Sequence, residues 1–124
     1  MLFRSLAEPV TLTLRDGFVV DVRGGAAADA WRRLADGLHD PNVYNVSEFG
    51  LGCNRRARLS GKVVEEEAVY GVGHVGFGTD IAFKGRVRAG WHVDGCLAGA
   101  TVEVAGRTIC ESGRVLLAPR PVTD

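Results

Sequence analysis

The chain has 124 residues, and its fifteen basic and fifteen acidic side chains give a formal net charge of zero. A chain of this length buries about two thirds of its unfolded surface, so we expect one domain over residues 1–124 that folds without covalent staples. The balanced charge argues against nucleic-acid and anionic-membrane partners. No apolar run approaches the roughly eighteen residues that span a bilayer, and the N-terminus lacks the apolar core of a signal peptide, so we expect a cytoplasmic protein.

The three cysteines, Cys53, Cys96 and Cys110, are odd in number and show no CxxC spacing. A disulfide framework or a cysteine-rich zinc site is therefore not expected, and reduced thiols are the simpler interpretation. Cys53 and Cys96 lie near the motifs described below, so either thiol could border a functional site.

The first part of the chain predicts a β-hairpin followed by one amphipathic helix. Two alternating runs, 10–14 and 18–22, flank Asp16 and Gly17, which is typical of a tight hairpin turn. Apolar residues then recur at helical spacing over residues 26–38, and we expect this helix to pack a tryptophan against a sheet. The periodic positions are Ala27, Ala30, Trp31, Leu34 and Leu38.

The remainder of the chain predicts short strands separated by loops. Strands are expected over residues 43–46 and 69–77, and closing strands over 101–110 and 114–117. Alternating basic residues over 80–89 indicate either a strand with one charged face or a mobile loop. The low helix content predicts an α+β fold, a β-rich sheet or barrel-like domain with one main helix.

A histidine and an aspartate two residues apart mark the first candidate site. If residues 90–94 form a strand, His92 and Asp94 project from the same face. An imidazole and a carboxylate that point into one space are half of a divalent-metal site. A hydrogen-bonded pair on a half-exposed strand would explain the same tripeptide, so the assignment depends on further ligands.

Two glycine-rich segments carry candidates for those ligands. Glu48 opens segment 48–54, and His74 lies among four glycines in segment 71–78. Missing side chains beside an imidazole leave room for a ligand or a neighbouring chain, whereas a lone histidine among apolar residues is ordinarily a satisfied core residue. Glu48 and His74 are therefore candidates to complete the site.

The succession N-x-x-E-F-G-x-G-x-N, G-x-x-H-x-G-x-G and H-x-D-G begins at Asn45, Gly71 and His92 respectively. These three motifs, in this order, resemble the C-terminal domain of the thermophilic-type leucyl aminopeptidases, and especially their relatives the 2,5-dihydroxypyridine 5,6-dioxygenases. The similarity extends to the hairpin and the alanine-rich helix, so it covers most of the chain. Because these relatives are roughly twice this size or more, the resemblance implies a short stand-alone version that begins inside their C-terminal domain and lacks their N-terminal domain.

The resemblance implies a metal-dependent enzyme. In the dioxygenase branch, two histidines and one carboxylate hold one Fe(II). His92 and Asp94 would be two of these ligands, and an upstream histidine, His74 or alternatively His39, would be the third. In the peptidase branch, Glu48 and His74 would join His92 and Asp94 around two zinc, manganese or cobalt ions. In the dioxygenase branch, Glu48 would be either a further metal ligand or a base that orients an imidazole. Glu48 and His74 are also the predicted catalytic residues.

The favoured prediction is a metal-binding domain with the chemistry of a mononuclear non-haem Fe(II) oxygenase, acting on a small substrate such as a hydroxylated aromatic compound. A metal-dependent, aminopeptidase-like hydrolase is the alternative enzyme. Outside catalysis, the alternative is a domain that has no activity until a partner completes it. Because the resemblance implies an absent N-terminal domain, we expect a homo-oligomer or a complex with a chain that replaces this domain.

Overall fold

The computed structural model describes residues 6–117, which contain eight short strands in three small sheets and two α-helices. The sheets have the strand orders β1-β2, β3-β4-β5 and β6-β7-β8. This arrangement confirms the β-rich α+β prediction, but no sheet in residues 6–117 closes into a barrel. The elements are β1 Thr11–Arg15, β2 Phe18–Arg23, α1 Gly25–Asp36, β3 Val46–Leu51, α2 Val63–Glu66, β4 Gly73–Gly78, β5 His92–Leu97, β6 Val102–Val104, β7 Arg107–Glu111 and β8 Arg114–Val115.

The chain separates into two compact units. Within the described residues, the first unit comprises residues 6–48 and 76–93, and the second comprises residues 49–75 and 94–117. No helix in the described residues is long and apolar enough to cross a membrane.

The first unit contains the predicted hairpin. Strands β1 and β2 pair antiparallel, with Arg15 opposite Phe18. The two turn residues, Asp16 and Gly17, both have positive φ angles, of 52° and 81°. Such angles belong to the turns whose twist matches paired strands, and an Asp-Gly sequence adopts them readily. The hairpin prediction is therefore confirmed.

Helix α1 is shorter than predicted, because it ends at Asp36 instead of Leu38. Gly37 follows as the C-cap, and glycine costs about 1 kcal/mol in a helix relative to alanine. The backbone N–H groups of Leu38 and His39 then donate to carbonyls three residues back, which tightens the chain into a turn.

Trp31 is the aromatic centre of the first unit. Its ring centroid lies 5.4 Å from those of Tyr44 and Phe77 and 6.0 Å from that of Trp91. The first two pairs are edge-to-face, an arrangement that aromatic quadrupoles favour. Since Phe77 belongs to β4, helix α1 packs its tryptophan on a sheet, as the periodicity predicted.

The strand predicted over residues 43–46 is wrong in its position. Residues 41–44 form a 3-10 turn, and β3 begins at Val46. The Asp40 carboxylate accepts a 2.9 Å hydrogen bond from the Asn42 N–H, and Pro41 occupies the first helical position. This combination starts a helical turn and outweighs the strand preference of the valines.

Two further strand predictions are corrected. Strand β4 begins at Gly73 instead of residue 69, because residues 69–72 form a turn in which Gly71 has a φ of 76°. Segment 80–89 contains a 3-10 turn at Ile81–Phe83 followed by a loop, so its strand alternative is wrong.

The closing strands of the second unit are confirmed. Strands β6, β7 and β8 form an antiparallel meander. Its two turns, residues 105–106 and 112–113, again place both central residues at positive φ. The last strand ends at Val115, slightly before the predicted end.

Candidate metal centre

Strands β3 and β5 carry a cluster of possible metal ligands: Glu48, His92 and Asp94. Each residue offers one ligand atom, and the three atoms lie within 4.8 Å of one another. Atoms bound about 2.1 Å from one ion lie at most roughly 4.2 Å apart, so small side-chain rotations would bring all three to one ion. His92 and Asp94 are separated by one residue on β5.

The His92 ring is oriented by a backbone carbonyl. Its Nδ1 lies 2.9 Å from the carbonyl oxygen of Thr79, and its Nε2 lies 3.2 Å from Oε1 of Glu48. Because a carbonyl oxygen only accepts, Nδ1 carries a proton and donates it. Nε2 is then the atom that faces the carboxylate, and either a proton or a metal ion between the two makes that contact favourable.

The pair formed by His92 and Glu48 is partly open to solvent. The two side chains retain 30% and 20% of their accessible surface. Partly exposed ion pairs contribute up to about 1 kcal/mol, so the pair does little for the stability of the fold. Its exposure leaves a path by which an ion or a small molecule can reach Nε2.

The two other histidines lie outside this cluster. His74 is on β4, and its ring fills the space beside Gly50, where a Cβ atom would lie 2.1 Å from its Cε1. His39 is exposed after helix α1, with a φ of 51°. The assignment of either residue as a metal ligand, and of His74 as a catalytic residue, stays a prediction.

Two residues of the motifs, Gly78 and Asn45, have structural roles in the first unit. A Cβ atom on Gly78 would lie 2.3 Å from the Trp91 carbonyl oxygen, and its φ of 101° disfavours any other residue. Asn45 is buried, and its side chain donates 2.9 Å to the Gly78 carbonyl. Part of the motif pattern is therefore explained by close backbone packing next to the candidate site.

Thr79 and Phe83 lie next to His92, and neither was predicted from the sequence to do so. Thr79 acts on His92 through its backbone carbonyl, which every residue possesses, so no residue type could have revealed it. The Phe83 ring centroid lies 5.9 Å from that of His92, although nine residues separate them along the chain. The sequence feature that could have indicated Phe83 is a single aromatic residue in a segment rich in basic residues.

All three cysteines are free thiols, as expected. Cys53 is exposed, Cys110 is buried, and Cys96 is intermediate. Burial raises the pKa of the Cys96 thiol above its usual value, and the carboxylates of Glu67 and Glu66 raise it further. Cys96 is consequently protonated near neutral pH, which disfavours it as a thiolate ligand.

One imidazole and two carboxylates on the two outer strands of a three-stranded sheet define a candidate metal site in a small α+β fold. The chain belongs to the 2,5-dihydroxypyridine 5,6-dioxygenase (NicX) family, whose model matches residues 2–117.

One curated relative and one solved structure carry that description. The 2,5-dihydroxypyridine 5,6-dioxygenase of Pseudomonas putida KT2440 is 25% identical over 118 residues, which cover 88% of this chain and 34% of the relative. A solved structure of 2,5-dihydroxypyridine dioxygenase from Pseudomonas putida KT2440 superimposes with a TM-score of 0.77 at 25% identity, over 90% of this chain and 35% of the other. The chain therefore spans about a third of the length of these relatives.

These comparisons support the dioxygenase branch of the resemblance and do not support the aminopeptidase branch. A homo-oligomer, or a complex with a chain that supplies an N-terminal domain, stays a prediction. So does the treatment of residues 1–124 as one metal-binding domain.

Proposed function

We propose that this chain carries the metal centre of a mononuclear non-haem Fe(II) dioxygenase that acts on a hydroxylated aromatic compound. The observation that carries the proposal is the convergence of Glu48, His92 and Asp94 within 4.8 Å in a member of this family. The Pseudomonas putida relative is named for 2,5-dihydroxypyridine, which makes that compound the first substrate to test.

The donor set fits a divalent ion of intermediate hardness. Carboxylate oxygens suit magnesium and manganese, imidazole suits iron and zinc, and a mixture of both with open positions is typical of non-haem Fe(II) centres. The set differs from the predicted two-histidine, one-carboxylate triad because Glu48 takes the position expected for His74 or His39. We therefore propose Glu48 as the third ligand.

The residues around the site have different roles in this proposal. The Thr79 carbonyl holds the Nδ1 proton of His92 and so presents the lone pair of Nε2 to the ion. Glu48 and Asp94 supply negative charge that offsets the charge of the ion. Glu48, His92 and Asp94 would hold the Fe(II) ion, which when bound would supply the one-electron chemistry that O₂ requires.

The proposal is tested by oxygen uptake with 2,5-dihydroxypyridine. We expect uptake that depends on both Fe(II) and the pyridine, and that disappears when Zn²⁺ replaces Fe(II), because zinc has no redox chemistry. The His92→Ala variant loaded in the same way is the control for uptake by free iron. Equal uptake by wild type and His92→Ala would contradict the proposal, and peptide hydrolysis by the Zn²⁺ form would favour the hydrolase.

A further inference from the structure

Phe83 places an exposed aromatic ring beside the candidate metal ligand His92. The Phe83 residue is 51% exposed, yet its ring centroid lies 5.9 Å from that of His92, with 38° between the ring planes. This distance is within the range over which aromatic rings attract one another. One side of the Phe83 ring is thus supported by the site, while much of its surface remains available to a ligand.

The loop that carries Phe83 is held by hydrogen bonds to Asp80. The Asp80 carbonyl accepts from the N–H groups of Phe83 and Gly85, at 2.9 and 3.0 Å. Its carboxylate accepts 2.8 Å from the Val87 N–H, and the buried Asn45 amide donates 3.3 Å to the other carboxylate oxygen. These bonds define the backbone on both sides of Phe83.

The same loop also orients His92. The Thr79 N–H donates 3.0 Å to the Trp91 carbonyl, and its hydroxyl donates 3.2 Å to the Val87 carbonyl. Thr79, which precedes the loop, is therefore tied to the loop's C-terminal end at Val87 and Trp91, while its carbonyl accepts from His92. One hydrogen-bonded segment sets both the tautomer of the ligand histidine and the position of the neighbouring phenylalanine.

We propose that Phe83 contacts the substrate by stacking on its aromatic ring while the substrate occupies the metal centre. This inference rests on the proposed function and adds the residue that selects for an aromatic substrate. A half-exposed ring costs little to desolvate and gains contact area when a flat ligand covers it. A ring fixed in advance loses little conformational entropy on binding, which favours affinity.

The test measures the dissociation constant of 2,5-dihydroxypyridine on Fe(II)-loaded protein under anaerobic conditions, where turnover cannot occur. We expect Phe83→Ala to weaken binding roughly three- to tenfold, the size of one aromatic pair. Phe83→Tyr keeps the ring and should stay within about twofold of wild type. Iron content should be equal in all proteins.

Phe49→Ala is the matched control. Phe49 is also 51% exposed, and it directly follows Glu48 on β3, so its side chain projects from the opposite face of the strand. We expect this variant to bind the pyridine as wild type does. An equal loss of affinity in Phe49→Ala and Phe83→Ala would show that any exposed apolar side chain has this effect. That result would overturn the assignment of Phe83 as a substrate contact.

Iron content separates this inference from the proposed function. If wild type binds iron and the pyridine, and Phe83→Ala binds both equally well, the stacking role is wrong and the metal centre stands. If Phe83→Ala loses iron together with the pyridine, Phe83 maintains the site instead of contacting substrate, and the inference fails. If wild type binds no iron, the proposed function fails, and the role of Phe83 fails with it.

Discussion

The His92→Ala variant is expected to bind Fe(II) more than about a hundredfold more weakly than wild type. Loss of a group that only orients a ligand costs about ten- to a hundredfold in affinity, and loss of the ligand itself should cost more. His92 is the one imidazole of the cluster, and its Nε2 faces the Glu48 carboxylate. Anaerobic competition with a chromogenic chelator measures the affinity.

The other two histidines provide the controls for this prediction. His39→Ala removes an exposed imidazole outside the cluster and should leave the affinity unchanged. His74→Phe keeps a ring in the space beside Gly50 but removes its nitrogen atoms. Normal iron binding by His74→Phe would support Glu48 as the third ligand. A loss as large as that of His92→Ala would restore His74 to the ligand set and contradict our assignment.

The Trp31→Ala variant should lower the free energy of unfolding by roughly 3 kcal/mol or more. Trp31 contacts three other aromatic rings, those of Tyr44, Phe77 and Trp91, so truncation leaves a cavity among groups that cannot all collapse into it. Chemical denaturation followed by far-UV circular dichroism measures the change.

Leu34→Ala is the control for the tryptophan. Leu34 lies on the same helix but is 40% exposed, so its truncation should cost about 1 kcal/mol or less. Trp31→Phe should lie between wild type and Trp31→Ala because it preserves part of the contact. A cost for Trp31→Ala no larger than that for Leu34→Ala would show that the aromatic cluster does not stabilise the fold.

Local signals in the sequence predicted the first part of the fold. The hairpin follows from two alternating runs around Asp16 and Gly17, and the helix follows from a 3.6-residue apolar period with a glycine close to its end. Each of these signals acts over a few residues, so the sequence contains all the information needed. The three-residue error at the helix boundaries arises because the apolar period continues through Leu38 after the helix has ended.

The strand predictions failed where side chains act on the backbone. The carboxylate of Asp40 caps a 3-10 turn that a valine-rich segment would not otherwise form. Asp80 organises the following loop through contacts up to seven residues away, and through Asn45 in a distant part of the chain. Strand propensity contains no information about such bonds, and tertiary context overrides it.

The candidate site was predictable in part. The two-residue spacing of His92 and Asp94 indicates a shared face in any strand, whatever the fold. The choice between Glu48 and His74 as their companion depends on the alignment of β3 and β4 with β5. Strand register is set by long-range pairing, and three short strands rich in glycine specify it weakly in sequence. The orienting carbonyl of Thr79 could be identified only from coordinates.

Anaerobic metal analysis of the purified wild-type protein and of the His92→Ala/Asp94→Ala double variant tests the central claim most directly. We predict about one iron per chain in the wild type and none in the double variant, whose single remaining carboxylate cannot hold the ion. No metal in the wild-type protein, or the same metal content in both proteins, would contradict the assignment of this cluster as the metal centre.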